Sequence, residues 1–223
     1  MQKTWLVVLL MLLLPGAAMA QSSVRSGTWG YEAIDAGVFE ISVDNMLLLG
    51  YSKQNLDEDG DAWASELRVA YIGGVTPRYF VAKNVSVALN LNLFLGQDAQ
   101  TTKVGDSEET QTSTDVGFLG TVMAHYYLRL GNSMFLKPGL GGGAFFGTRS
   151  VPGMEEGTKI EHKLSGGIGR LDIGLVYYAS KNFNMKAGID TLMWFGSVTN
   201  PADESRGYFS IDAGFNVGLA YSF

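Results

Sequence analysis

The chain contains no cysteine, only two histidines and five prolines, and after its first twenty residues no apolar run long enough to cross a bilayer as a helix. Without cysteine there is no disulfide and no lipoprotein anchor. With two histidines, any histidine-centred chemistry must use His125 or His162. Without a later apolar helix, a membrane-spanning form of this chain has to be a closed β-barrel, because only helices and barrels satisfy every backbone group in lipid. Basic clusters are also missing, and the formal charge is −6. A net acidic chain of this kind is not expected to bind nucleic acid.

The clearest positive signal lies at the carboxyl end. From Tyr208 to Phe223 the residues alternate: Phe209, Ile211, Ala213, Phe215, Val217, Leu219, Tyr221 and Phe223 on one face, Ser210, Asp212, Gly214, Asn216 and Ser222 on the other. A period of two with one wholly apolar face is a strand with lipid on one side and a polar interior on the other. At the amino end, Lys3, the uncharged run from Trp5 to Leu14, Pro15-Gly16 and Ala18-Met19-Ala20 read as a secretory signal over 1–20. A polar lead-in over 21–33 and a single barrel domain over 34–223 are expected to follow.

Between these ends, strand patterns alternate with connections. Strands are expected over 35–52, 63–81, 85–96, 116–130, 134–148, 163–179, 183–196 and 208–223. The third is the plainest, with Val85, Val87, Leu89, Leu91, Leu93 and Leu95 against Ser86, Ala88, Asn90 and Asn92. The connections alternate long and short. Polar loops are expected over 53–62, 97–115, 149–162 and 197–207; Ala82-Lys83-Asn84, Gly131-Asn132-Ser133 and Ser180-Lys181-Asn182 are tight turns. This asymmetry predicts an all-β, transmembrane, up-and-down antiparallel barrel of about eight strands. Aromatic residues gather near the strand ends. Tyr51, Trp63, Phe145, Phe146, Trp194, Phe195 and Tyr208 lie toward the loops, and Tyr79, Phe80, Tyr127, Phe135, Tyr178, Phe183 and Tyr221 toward the turns. They are expected to form two interfacial belts.

The terminal strand, with Gly218, Leu219, Tyr221 and Phe223, resembles the last strand of bacterial outer-membrane β-barrel proteins. The run Thr76-Pro77-Arg78-Tyr79-Phe80-Val81 before Ala82-Lys83-Asn84-Val85-Ser86-Val87 looks like the second turn region of the small OmpW, OmpX and OmpA-type barrels. The resemblance implies location in the cell outer membrane among lipid and lipopolysaccharide. It also implies that the barrel-insertion machinery reads Gly218, Leu219, Tyr221 and Phe223 as an insertion signal.

The strand pattern turns Glu40, Asp44, Glu66, Arg68, His125, Arg129, Lys137, Arg170, Asp172, Lys186 and Asp190 toward the interior. Eight strands leave room for little more than side chains. These charges of both signs are therefore expected to form an ion-pair network, with a gated polar pore as the alternative. The glycine run from Gly139 to Gly143 sits in a strand with no helix after it, so it is not a phosphate loop. Asp57, Glu58, Asp59, Asp61 and Glu66 lack EF-hand spacing; loop carboxylates of this kind could share divalent cations with lipopolysaccharide phosphates. His125 is followed by Tyr126-Tyr127, which is not the His-x-Ser pattern of an outer-membrane deacylase, and His162 has no nameable catalytic partners. No cofactor and no catalytic role are expected. The sequence points to a structural or surface-interaction role through the loops, with an extracellular ligand as a possible partner. A narrow channel for small or hydrophobic solutes, as the OmpW-like resemblance implies, is the alternative, and a lipid-modifying enzyme the third reading.

Overall fold

The computed structural model describes residues 25–27, 30–55, 62–104, 107–153 and 158–223. The expected signal peptide over 1–20 and the acidic residues Asp57, Glu58, Asp59 and Asp61 lie outside the described residues.

A short hairpin of β1 (Arg25–Gly27) and β2 (Gly30–Ala33) stands apart from the main sheet. The barrel consists of β3 (Phe39–Asn55), β4 (Ala62–Ala82), β5 (Val85–Val104), β6 (Ser107–Tyr126), β7 (Leu128–Gly131), β8 (Met134–Pro152), β9 (Lys159–Tyr178), β10 (Phe183–Thr199) and β11 (Ser205–Ser222). Neighbours in sequence pair antiparallel, and β11 returns to β3 to close the ring. β6 and β7 follow one another along β8, so these nine segments make eight barrel strands. The tight turns use residues that tolerate a left-handed backbone: Asn84 has φ 61° and Ser133 φ 61°.

The exterior carries the apolar face of each strand. Phe215 is 71% exposed, Leu140 65% and Leu93 64%, values that make sense for side chains standing in lipid. Polar side chains interrupt this face at Thr191, between Ile189 and Met193 on β10, and at Asn45. Asn45 lies between Leu47 and Val43 on the outward side of β3, and the Tyr71 hydroxyl donates a close hydrogen bond to its Oδ1. Tyr71 reaches it by lying across Gly73, where an added Cβ would come within 2.7 Å of the hydroxyl. Tyr71→Phe leaves the Asn45 carbonyl without this partner at the lipid face. It is expected to cost about 1 kcal/mol, read as a lower urea midpoint for the folded, gel-compact form.

Three expectations are corrected by the structure. The polar stretches over 97–115, 149–162 and 197–207 are largely strand, since β5 runs to Val104, β6 starts at Ser107, β8 runs to Pro152, β9 starts at Lys159, β10 runs to Thr199 and β11 starts at Ser205. Thr, Gln and Ser pair through their backbones as well as Leu does, and beyond the lipid nothing requires an apolar face. The fourth strand is interrupted at Tyr127, whose N–H donates to the Asn84 carbonyl at 2.8 Å, and the remainder, β7, pairs only with β8.

The third correction concerns the aromatic belts. Five adjacent pairs, Tyr79-Phe80, Tyr126-Tyr127, Phe145-Phe146, Tyr177-Tyr178 and Trp194-Phe195, split across the wall. Tyr79, Tyr126, Phe146, Tyr177 and Phe195 are exposed, whereas Phe80, Tyr127, Phe145, Tyr178 and Trp194 are buried. Successive strand residues point to opposite faces, so adjacent aromatics cannot both stand in a belt. Phe135 is also buried. Six of the fourteen residues expected in the belts are therefore interior filling.

Candidate functional site

The lumen is built in layers from inward-facing residues at successive levels of the strands. At the short-turn end the chain between β2 and β3 enters the mouth. Ile34 and Val38 are buried against Phe80, Tyr127, Phe135, Val176 and Tyr178. This plug is fixed by its backbone: Asn84 N–H donates to the Ile34 carbonyl at 2.8 Å and Phe80 N–H to the Val38 carbonyl at 2.9 Å. The Asn84 side chain accepts from Ile34 N–H at 2.8 Å. Aromatic edges interlock around it, with Phe135 and Tyr178 at 5.8 Å and 81°.

Above the plug lies a charged layer. Glu40, with no accessible surface, accepts a close hydrogen bond from Arg78, one from Lys186 Nζ at 2.7 Å and one from Asn184 Nδ2 at 2.6 Å. Asp172 accepts from Lys137 Nζ at 2.6 Å and lies 3.1 Å from His125 Nε2. Asp190 accepts from Arg170 Nε at 2.7 Å and closely from Asn216. Asp44 accepts from Ser42 at 2.8 Å. Buried charges are tolerable only when paired and hydrogen-bonded, and the three buried carboxylates here each meet a cation. Gly139 makes the His125–Asp172 contact possible, because a Cβ there would sit 2.3 Å from His125 Cδ2 and 2.4 Å from Asp172 Oδ1.

The middle of the lumen is apolar. Met46, Leu48, Ile72, Phe94, Leu119, Phe145, Leu164, Ile168, Leu192 and Trp194 pack across it from all sides. Trp194 meets Phe145 edge-on at 4.9 Å and Phe94 at 5.8 Å. At the outer end a second ionic cluster rests on this layer. Asp98 holds Arg68 in a bidentate pair at 2.7 and 3.0 Å and also accepts from Arg149 at 2.7 Å. Asp115 holds Arg149 bidentately at 2.8 and 2.6 Å. Glu66 and Asp212 reach Arg68 only at 3.3 and 3.4 Å. A cavity of about 340 Å³ opens beside this cluster.

Ten of the eleven expected interior charges therefore point into the lumen, in two separate clusters: Glu66 and Arg68 in the outer one, and Glu40, Asp44, His125, Lys137, Arg170, Asp172, Lys186 and Asp190 in the inner one. Arg129 does not. It is exposed on β7 and donates to the Gly131 carbonyl and Asn132 side chain of its own turn. β7 pairs with β8 alone among the described strands, and past the break at Tyr127 its residues Leu128 to Leu130 are all exposed, so the inward parity of β6 does not carry through to Arg129. Arg78, Asp98, Asp115, Arg149 and Asp212 are central to the clusters but absent from the sequence expectation. Asp98, Asp115 and Arg149 fell in segments read as loops; Asp212 stood on the polar face of the last strand and only needed counting. Gly218 faces inward beside Asp44, while Leu219, Tyr221 and Phe223 face out. Phe223 N–H donates to the Phe39 carbonyl at 2.8 Å, which fixes the end of the chain at the closing seam.

No family model matches the chain, and no curated protein does. Solved structures do. The outer membrane protein OprG from Pseudomonas aeruginosa is similar over 85% of this chain and 97% of its own, at 16% identity and a TM-score of 0.51. The fold is that of a small outer-membrane β-barrel. Neisserial surface protein A is similar over 83% of this chain and 97% of its own, at 14% identity and a TM-score of 0.46. The outer membrane protease OmpT from Escherichia coli covers 90% of this chain and all of its own (100%), at 9% identity and a TM-score of 0.38. With its apolar exterior in the outer membrane, this barrel has its short turns and aromatic plug at one end and its second ionic cluster at the other.

Proposed function

We propose that this protein is a non-conducting, non-catalytic barrel that acts through its extracellular end. The observation that carries the reading is the apolar middle layer, in which Leu48, Leu119 and Leu192 have no accessible surface. A water path along the axis would have to cross this layer and then the periplasmic plug. The inner charges lie between two apolar layers and serve as structure. The extended polar hairpin of β5 and β6 and the outer ionic cluster form the surface available to a ligand outside the cell.

Catalysis finds little support in the same geometry. His125 is buried with Asp172 and Lys137 beneath the apolar layer, away from any lipid substrate. His162 faces the outer end of the lumen opposite Arg149, in register with a cation rather than a nucleophile. We also read the apolar terminal strand, with Phe223 at its end, as the signal for the insertion machinery, and the outer belt as the surface that meets lipid and lipopolysaccharide.

The closed-lumen reading is tested by swelling of proteoliposomes in small sugars and amino acids. Vesicles carrying the refolded protein are expected to swell no faster than empty ones. Swelling that scales with protein content would favour the channel reading instead.

A further inference from the structure

The ring is not closed over its full height. β11 and β3 pair from Ser222 opposite Glu40 up to Ala213 opposite Leu49, and no further. Both strands continue above that level, β3 held by β4 up to Asn55 and β11 held by β10 from Ser205. Their facing edges, 50–55 and 205–212, have no strand partner on that side among the described residues. The β6–β8 seam also ends early, but only at Thr114 opposite Ser150, above the apolar belt. The β3–β11 seam opens within the belt, at the level of the exposed apolar residues Tyr51, Phe209 and Ile211.

The outer cavity lies in this gap. Its lining joins the lipid-side residues Tyr51, Phe209 and Ile211 to the lumen-side residues Glu66, Arg68 and Asp212. Residues of both faces meet in this one cavity beside the unpaired edges of β3 and β11, which sets it at the opening in the wall. Bare strand edges facing hydrocarbon would leave backbone N–H and C=O groups unsatisfied, so this gap has to hold polar atoms, whether of water or of a ligand.

Charge and size narrow the ligand. Four carboxylates, Glu66, Asp98, Asp115 and Asp212, face two guanidinia in the cluster, Arg68 and Arg149. Asp98 and Asp115 take both guanidinia in short bidentate pairs. Glu66 and Asp212, the two carboxylates that line the cavity, reach a guanidinium only at 3.3 and 3.4 Å. An anionic head group would have to displace a bidentate carboxylate; a cationic one would complete two weakly paired ones. About 340 Å³ is at the small end of pockets that take one small molecule, which fits a single-chain compound better than a whole lipid.

We propose that the β3–β11 gap is a binding slot for a single-chain amphiphile with an amine head group. The ammonium sits between Asp212 and Glu66, and the chain lies along Tyr51, Phe209 and Ile211 toward the outer leaflet. The proposal rests on the reading that the protein acts through its extracellular end.

The test is a calorimetric titration of dodecylamine into the full-length refolded protein in phosphatidylcholine nanodiscs at pH 7, with empty nanodiscs subtracted. Saturable one-to-one binding is expected, with no competition from dodecanoate. Decylamine, shorter by two methylenes, should bind about tenfold more weakly. Asp212→Asn and Glu66→Gln should each weaken dodecylamine by about tenfold, the scale of a lost charge-assisted hydrogen bond. Glu161→Gln, exposed on β9 and outside both the cavity and the β5–β6 hairpin, should leave it unchanged. Absence of saturable binding, equal binding of amine and carboxylate, or affinity untouched by both cavity substitutions would overturn the proposal. A barrel that passes solutes yet still selects the amine would contradict only the closed-lumen reading; a silent barrel without amine selectivity would contradict only the slot.

Discussion

Glu40→Ala is expected to destabilise the folded barrel by about 3–5 kcal/mol, the cost of breaking a buried ion pair from one side. Glu40 has no accessible surface and is shared by Arg78 and Lys186, which are themselves buried. Removing the carboxylate leaves two cations, Arg78 of β4 and Lys186 of β10, facing each other in a space closed by the plug below and the apolar layer above. It also strips the Asn184 amide of its acceptor. Because Glu40 lies on β3 opposite Ser222 of β11, the loss falls on the seam that closes the ring. Glu40→Gln keeps the volume and one acceptor and should lose less. The measurement is the urea midpoint of the refolded protein, followed by heat-dependent gel mobility. A loss below about 1 kcal/mol for Glu40→Ala would mean that water reaches this layer and that the charges are not structural, since exposed ion pairs contribute no more than that.

The second large effect is expected at Trp194. Trp194→Ala removes the largest side chain of the apolar layer, one that meets both Phe94 and Phe145 across the lumen. Truncating a buried aromatic costs about 3–5 kcal/mol when the surroundings cannot collapse. Here they cannot, because each neighbour is tethered to a strand in a ring of fixed circumference. Trp194→Phe should recover most of the stability, a pattern that distinguishes lost packing from a lost indole hydrogen bond. Thermal unfolding in detergent would show it, and a Trp194→Ala midpoint within a few degrees of the parent would argue against a packed middle layer.

Much of this was legible in the sequence, and what was not failed for identifiable reasons. The lipid face was readable because membrane burial forces a strict period of two, as from Val85 to Leu95. The polar extensions of β5 and β6 were not, because that pressure ends at the bilayer surface while backbone pairing does not. The interior aromatics could have been found: Tyr79-Phe80 and Phe145-Phe146 are adjacent, and adjacent strand residues must part. The interior charges are readable by parity wherever the strand is recognised, and only Arg78 and Asp212, both on expected strands, are missing from that expectation. Asp98, Asp115 and Arg149 were lost with the strand extensions that carry them. Arg129 was assigned to the lumen because parity was carried through Tyr127, where the strand breaks, and no local residue announces that break. The open β3–β11 seam depends on register between the first and last barrel strands, which no local pattern encodes.

The central claim is that packed side chains close the lumen. Planar-bilayer conductance of the refolded protein, with folding verified by gel mobility, tests it most directly. A silent membrane at all voltages is expected, with no discrete steps as protein is added. Reproducible unitary steps from folded protein would contradict it, and would mean that the layer around Leu48, Phe94 and Trp194 parts to admit water.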